Sequence, residues 1–465
     1  MNAIKDLRDW IERLSKENDL WVLEDEVSPE PDIGAIGKAV CDIQGPAALI
    51  KNVKGYKIPV AIGMHAAWRR EAKALGLPAD ASHDEITEAW REGFARYPVK
   101  NLEKTNGPCK ENVSKGDAVN LFNLPLHRIN QGDGSFYISK GNVITKDPDT
   151  GKVNVGIYRM MVLDKNRTAL LMNYNQHGAR HLIRSEELGK PLEVAVAIGG
   201  DPILPMVAGA KIPYEWSEYE CAGAIRNSSY EITQAGTVDL PVPANSEIVL
   251  EGYLPPGERV FEGQFGEFPG AYTGYYYTPV FKINAMTYRN DPIYESLYIG
   301  RPNTENTYMT MHSKLSAVLH ELKKVVPKVT RISYLKPYTH TAVIQGRWLH
   351  TADPKQAIMA FWGSSYGSYA KITIAVDEDV DPWSAEDVLW AVSTRVASSD
   401  DVIFVPHTYS PLSPSAISGV ATKIGIDATK PRPPYLRYHP VDWVEAPKGT
   451  EEWKKKILNF QGGLN

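Results

Sequence analysis

Apolar residues recur at helical spacing near the start of the chain, at Leu7, Trp10, Ile11 and Leu14, and predict an amphipathic helix. Leu20 to Leu23 reads as a short buried strand, and Ile33, Ile36, Gly37 and Val40 repeat a helical face after Pro31. Ala47 to Ile50 and Ile58 to Ile62 read as further strands. Ser82 stands three residues before Glu85 and just ahead of Ile86, Trp90 and Phe94, the spacing of a capping box at a helix start. Helix and strand alternate, which predicts an α/β domain closed by Pro98, with residues 99 to 120 as a polar connector.

From about Phe136 the period shortens to that of strands: Tyr137 to Thr145, Val153 to Leu163 and Ala169 to Met172, separated by turns at Asp147-Pro-Asp-Thr-Gly151 and Asp164-Lys-Asn-Arg167. Leu192 to Ile198, Glu247 to Gly252 and Phe281 to Tyr288 extend the set, so the middle predicts a barrel-like antiparallel sheet with inserted helices. Met311, Leu315, Val318, Leu319, Leu322 and Val325 form one long helical face. After Pro327 the alternation returns: Lys371 to Val376 as a strand, Ser384-x-x-Asp387 capping a helix that carries Val388 to Val392, then Val402 to Val405. The expected architecture is mixed α/β and α+β: residues 1–120, 121–305, a linking helix over 306–327, and 328–465.

Composition narrows the function classes. A chain of 465 residues with 43% apolar and 23% charged positions is an ordinary globular one, long enough for two or three cores. Its formal net charge of −5 gives no footprint for nucleic acid or an anionic membrane. Cys41, Cys109 and Cys221 are far apart and in no metal-binding spacing, which fits buried thiols in a reducing cytoplasm. No stretch reaches membrane-spanning length, so the reading is a cytoplasmic protein acting on small molecules.

The middle of the chain carries the candidate chemistry. Val260-Phe-Glu-Gly-Gln-Phe-Gly-Glu-Phe-Pro-Gly-Ala-Tyr272 places Glu262 and Glu267 among aromatics and glycines, where desolvation raises a carboxyl pKa and lets one acid keep its proton. The bland alternative is a glycine-rich hairpin with both glutamates in water. In Asn154-Val-Gly-Ile-Tyr-Arg159, strict alternation puts Arg159 on the face of Val155 and Ile157, where it needs an anion such as Glu262 or Glu267, unless it is an edge arginine in solvent. Asn175-Gln-His177 and Trp216-Ser-Glu218-Tyr-Glu220 add oxygen and imidazole donors suited to Mn²⁺ or Mg²⁺ completed by phosphate or water. Gly199-Gly200 before Asp201 reads as a strand-end turn.

Taken together and in this order, Asn154-x-x-x-x-Arg159, Gln176-His177, Ser217-Glu218 and Glu262-Gly-x-Phe-Gly-Glu267 resemble the UbiD family of reversible decarboxylases that use prenylated FMN. The resemblance covers essentially the whole chain. Pro108-Cys-Lys-Glu-Asn112, Gln131-Gly-Asp-Gly134, Tyr338-Thr-His340, Val376-Asp-Glu-Asp-Val-Asp-Pro382 and Ile426-Asp-Ala-Thr429 are similar to the hydroxyarylic acid decarboxylases within it.

The resemblance implies a split-barrel cofactor domain in the middle and a C-terminal oligomerisation domain. It assigns Asn154, His177 and Glu218 to Mn²⁺ at the flavin phosphate, with K⁺ as a companion ion, and adds Tyr158, Arg159 and Gln176 to the cofactor-binding set. Arg159, Glu262 and Glu267 become the catalytic network, and His340 a partner for the substrate phenol. The implied partners are an aromatic carboxylic acid, CO₂, a flavin prenyltransferase that supplies the cofactor, and further copies of the chain. Physical chemistry agrees, because the carbanion left by CO₂ loss from an aromatic ring needs a cofactor as electron sink.

Three positions depart from the family pattern: Gln264 in place of a proline, Ser365-Tyr366-Gly367 in place of Pro-His-Gly, and a segment after His177 one residue shorter, which makes His181 a rival metal ligand. Rival functions are a subunit of a multi-component aryl carboxylase such as a phenylphosphate carboxylase, a non-catalytic flavin scaffold, and a glycosidase using the two glutamates.

Overall fold

The computed structural model describes residues 3–210, 212–335, 340–364, 366–410, 413–416, 419–430 and 447–461. Tyr338, Thr339 and Ser365 of the sequence motifs lie outside the described residues.

The first helix, Leu7–Lys16, buries Leu7, Trp10 and Leu14 and starts at Asp6, whose carboxylate accepts the Asp9 N–H at 2.9 Å. The capping box forms at Ser82 and Glu85, ahead of helix His83–Ala95. Strands Leu20–Val27, Ala47–Val53 and Val60–Ile62 make a small sheet whose fourth strand, Tyr294–Glu295, arrives from the end of the middle region. Residues 99–120 are not a plain connector: Leu102–Lys104 pairs with Glu231–Gln234, and Asn112–Lys115 pairs with Tyr276–Tyr288. Each sits on a sheet edge with one neighbour, so polar side chains on its open side carry no penalty, and their polarity concealed the strands.

The middle is a ten-stranded sheet. Its path runs Tyr137–Ile138, Met160–Asp164, Arg167–Leu170, Tyr276–Tyr288, Ile248–Leu254, Leu192–Ile198, Asn142–Lys146 and Val153–Ile157, with antiparallel neighbours throughout. The ladder does not close into a barrel. Val153–Ile157 at one edge runs directly into Met160–Asp164 next to the other edge, so the covalent link Tyr158-Arg159 bridges the gap. The expected single strand from Val153 to Leu163 is therefore two strands, broken where the backbone changes partners.

The linking helix is Glu305–Val325. Met311, Leu315, Val318 and Leu322 bury their side chains with Val329, Ile344 and Phe361 of the C-terminal part, whereas Val325 of the expected face is 64% exposed. Glu305, at the helix start and fully buried, accepts the N–H groups of Gly63 at 3.1 Å and His65 at 2.9 Å, tying the helix to the N-terminal sheet. The C-terminal part is a five-stranded mixed sheet ordered Val329–Tyr334, Thr341–Gly346, Ile372–Asp377, Val420–Asp427 and Val402–Tyr409, with helices Asp353–Trp362 and Ala385–Arg395. Ser384 caps the second helix by accepting the Asp387 N–H at 3.2 Å. Cys41, Cys109 and Cys221 are buried and unbridged. Among the described residues no helix is long and apolar enough to cross a membrane.

Glu305→Ala removes the acceptor of the buried Gly63, His65 and Tyr298 N–H groups, each costing about 1–3 kcal/mol when unpaired. Urea unfolding is expected to show a loss of about 2–5 kcal/mol. A loss below about 0.5 kcal/mol would mean that the junction does not depend on Glu305.

Candidate active site

The acidic loop leaves the sheet at Glu262, the last residue of strand Arg259–Glu262, and is fastened by a second loop from Asn130 to Gly134. Asp133 accepts the Gly266 N–H at 2.8 Å on one oxygen and the Ile129 and Asn130 N–H groups at 3.0 and 2.9 Å on the other. Gly134 N–H donates to the Gln264 carbonyl at 2.7 Å, and the Tyr137 hydroxyl to the Gly263 carbonyl at 3.1 Å. The two backbones come so close that a Cβ on Gly134 would lie 2.7 Å from the Gly263 Cα. The role of Gln131-Gly-Asp-Gly134 is not legible in the sequence, because the loop it fastens lies about 130 residues further along the chain. Gln264, the residue in the proline position, donates its amide to the Tyr275 hydroxyl at 3.2 Å.

Arg159 lies past the end of its strand, so it does not share a face with Val155 and Ile157 as alternation predicted. It turns into the acidic loop and binds both glutamates. Its Nε and Nη2 donate to the two oxygens of Glu262 at 2.8 and 3.0 Å, and Nη1 donates to Glu267 at 3.1 Å. The guanidinium sits 4.9 Å from the Phe265 ring centroid and 5.7 Å from that of Tyr276. Side-chain exposure is 7% for Arg159, 0% for Glu262 and 15% for Glu267. Glu262 has the bidentate pair, while burial pushes Glu267 above the usual carboxylate range, partly offset by Arg159 and by the Phe268 N–H. The two carboxylates are thereby unequal.

A second cluster gathers Asn154 on strand Val153–Ile157 and the first residues of two helices, His177 of His177–Glu187 and Glu218 of Glu218–Arg226. Glu218 is buried; its Oε2 accepts the Val155 N–H at 3.0 Å, and among the described residues it has no ion-pair partner. Burial pushes its pKa up to about 8. The Asn154 amide nitrogen is buried and, among the described residues, without a hydrogen-bond partner. Gln176 folds onto its own turn, its side-chain oxygen accepting the Asn173 N–H at 2.7 Å. The Tyr158 hydroxyl accepts the Gly178 N–H at 3.3 Å. His181, the rival ligand, is buried with both ring nitrogens engaged, Nδ1 by Thr145 at 2.9 Å and Nε2 by Tyr214 at 3.1 Å.

Both clusters open onto one cavity of about 1110 Å³, whose lining includes Asn154, Tyr158, Arg159, Gln176, His177, Glu218 and Glu267. Its other wall is the linking helix and the C-terminal part, which contribute Lys314, Tyr366 and Tyr369. Lys314 Nζ lies 5.0 Å from the Tyr366 ring centroid. Tyr369 stands outside every sequence motif, and the signal that points to it is the altered Ser365-Tyr366-Gly367 segment just upstream. His340 is not among the lining residues. Its ring hydrogen-bonds the Tyr369 carbonyl at 3.0 Å through Nδ1 and lies 5.8 Å from that of Phe268, so it backs the wall.

The chain matches known proteins over nearly its whole length. The family model for 3-octaprenyl-4-hydroxybenzoate carboxy-lyase matches in three parts, its N-terminal domain at residues 11–90, its Rift-related domain at 100–302 and its C-terminal domain at 308–428. A phenolic acid decarboxylase of Sedimentibacter hydroxybenzoicus is 38% identical over 99% of each chain. The closed form of that organism's vanillic acid decarboxylase superposes with a TM-score of 0.89 at 36% identity, covering 99% of this chain and 100% of the other. An evolved dimeric form of the UbiD-class enzyme HmfF from Pelotomaculum thermopropionicum, in complex with prFMN, gives 0.84 at 30% identity over 96% and 98%.

Burial raises Glu218 from 4.5 to about 8, so between those values the native protein holds a proton that the unfolded chain releases. That stability is fully present below the unfolded pKa and is lost as pH rises through the folded one. Thermal melts of flavin- and metal-free protein are expected to show wild type losing stability relative to Glu218→Gln as pH climbs from about 5 to about 8. A pH-independent difference between the two would mean that Glu218 is ionised throughout.

Proposed function

The chain belongs to the UbiD family of carboxy-lyases and decarboxylates an aromatic acid with prenylated FMN, and on that premise we propose that its substrate is a phenolic acid and that Arg159, Glu262 and Glu267 perform the proton chemistry. The observation that carries this reading is the buried guanidinium shared unequally between two carboxylates.

When bound, prenylated FMN supplies the electron sink that side chains lack. Arg159 holds Glu262 through the bidentate pair and positions Glu267 through the third bond. The ring–carboxylate bond breaks with its electron pair left on the ring carbon, CO₂ departs, and Glu267 gives that carbon a proton. Glu267 suits the role because burial favours its protonated form. Reversal at high CO₂ is open to the same groups by microscopic reversibility.

Asn154, His177 and Glu218 would hold Mn²⁺ against the flavin phosphate, with K⁺ as companion ion. A buried carboxylate without a cationic partner and two helix N-termini fit a divalent ion and a phosphate. Among the described residues no group of three or more His, Cys, Asp or Glu forms a cage, so the Asn154 amide and non-protein atoms complete the donor set. Tyr158 and Gln176 shape the cavity wall at this end.

His340 serves substrate choice through Tyr369, whose position it fixes and whose hydroxyl reads the phenolic oxygen. Exposed Leu389, Trp390 and Phe404 on the C-terminal part support a homo-oligomer, and the three buried free thiols fit a reducing cytoplasm. A flavin prenyltransferase supplies the cofactor.

Glu267→Gln is expected to keep its flavin and lose about 10²- to 10⁴-fold in kcat, because an amide cannot donate the proton. In wild type, kcat should fall as pH rises through the elevated Glu267 pKa. Near-normal H/D exchange of product in D₂O by Glu267→Gln would assign the proton to another group.

A site that hydrogen-bonds a substrate hydroxyl rejects the analogue lacking it by large factors. 4-Hydroxybenzoates should therefore be turned over and benzoate not, with His340→Ala reducing the preference. Equal kcat/KM for benzoate and 4-hydroxybenzoate would sink the phenolic reading.

A further inference from the structure

Tyr214 is not among the lining residues of the cavity, yet it touches or adjoins each chain segment that carries a candidate metal ligand. Its ring meets that of His177 edge-to-face, with centroids 5.0 Å apart and planes at 89°. The Arg180 guanidinium lies 5.1 Å and the Lys152 ammonium 5.9 Å from the same ring centroid. In the chain, Tyr214 stands four residues before Glu218.

The hydroxyl is held by a chain of hydrogen bonds in which every proton has one place. Tyr214 donates to Asp147 Oδ2, and the other carboxylate oxygen of Asp147 accepts the Asp149 and Thr150 N–H groups at 2.9 and 3.1 Å. With that hydroxyl proton committed, His181 Nε2 must be the donor at 3.1 Å, and its Nδ1 must accept from the Thr145 hydroxyl at 2.9 Å. Thr145 is the residue paired directly across the ladder from Asn154. The chain thus begins opposite one candidate ligand, crosses the helix of the second, and ends in the turn that leads into the strand of the first.

An imidazole that binds a metal gains affinity when its ring is already oriented, usually by a hydrogen bond from its other nitrogen. Here the edge-to-face contact of the Tyr214 and His177 rings supplies an orienting contact.

We propose that Tyr214 is the positioning residue of this end of the site: its anchored ring fixes the orientation of His177 before the divalent cation and the flavin phosphate arrive. The proposal rests on the reading that Asn154, His177 and Glu218 hold the cation.

The test uses the full chain freed of flavin and titrated with FMN at fixed Mn²⁺, followed by flavin fluorescence and by the Mn²⁺ EPR signal, with thermal midpoints measured alongside. His177→Ala tests the underlying reading. Tyr214→Leu should weaken FMN–Mn²⁺ binding about 10- to 100-fold, the range found when the support of a ligating histidine is removed. Tyr214→Phe keeps the ring and loses both hydrogen bonds that anchor it, so its affinity should fall between wild type and Tyr214→Leu; a purely structural role would leave binding to follow the thermal midpoint. If Tyr214→Leu does not fold, Tyr214→Met, which fills similar space without a ring, takes its place with the same expectation. Wild-type affinity in Tyr214→Leu or Tyr214→Met, while His177→Ala loses binding, overturns the proposal and leaves the reading intact. Wild-type affinity in His177→Ala overturns both.

Discussion

Burying a guanidinium between two carboxylates is the constraint from which the middle of the molecule follows. Taking a guanidinium charge out of water costs several kcal/mol, and only near-ideal geometry and full hydrogen bonding offset it. Arg159 meets this by using Nε and both terminal nitrogens on two glutamates, with Phe265 and Tyr276 at its flanks. The loop that presents Glu262 and Glu267 has little regular structure, so its shape comes from Asp133 and the close backbone contact between Gly134 and Gly263. An arginine left without either carboxylate there would be a buried unpaired charge, which is why these contacts behave as one unit.

The same constraint explains the break in the sheet. A strand continuing through Tyr158 and Arg159 would alternate its side chains between the two sheet faces, and Arg159 could not reach sideways into a loop. Changing ladder partners at those two residues frees Arg159 and joins the two ends of an open sheet. Asn154 and Arg159 lie five residues apart in the chain and both line the cavity, Asn154 beside the Val155 N–H that Glu218 accepts and Arg159 bonded to Glu262 and Glu267. The proposed cation site and the proposed proton chemistry are thus tied to each other by a short covalent segment.

The cavity also depends on residues far along the chain. Tyr366 and Tyr369 come from the C-terminal part and Lys314 from the linking helix, while Phe268 of the acidic loop meets the ring of His340. Glu305 fixes the start of that helix to the N-terminal sheet, so all three parts of the chain determine the shape of one cavity.

Local physics made much of this legible in the sequence. The helix of Leu7, Trp10 and Leu14, the capping box at Ser82, the turns around Asp147 and Asp164, and the linking helix follow from periodicity and side-chain capping, which act over a few residues. Glu262, Glu267 and Arg159 stood out because charge amid aromatics and glycines needs a partner, though alternation assigned Arg159 a face that the strand break removes. Edge strands such as Asn112–Lys115 were hidden because one-sided pairing tolerates polar residues. What only the tertiary structure decided were matters of distance: that Arg159 binds both glutamates, that Asp133 fastens the loop, that His181 is occupied by Thr145 and Tyr214 while His177 faces the cavity, and that Tyr369 rather than His340 lines its wall. Composition and spacing fix which groups need partners, but which of several chemically equivalent partners is chosen depends on contacts between residues tens to hundreds of positions apart, and no local pattern encodes those.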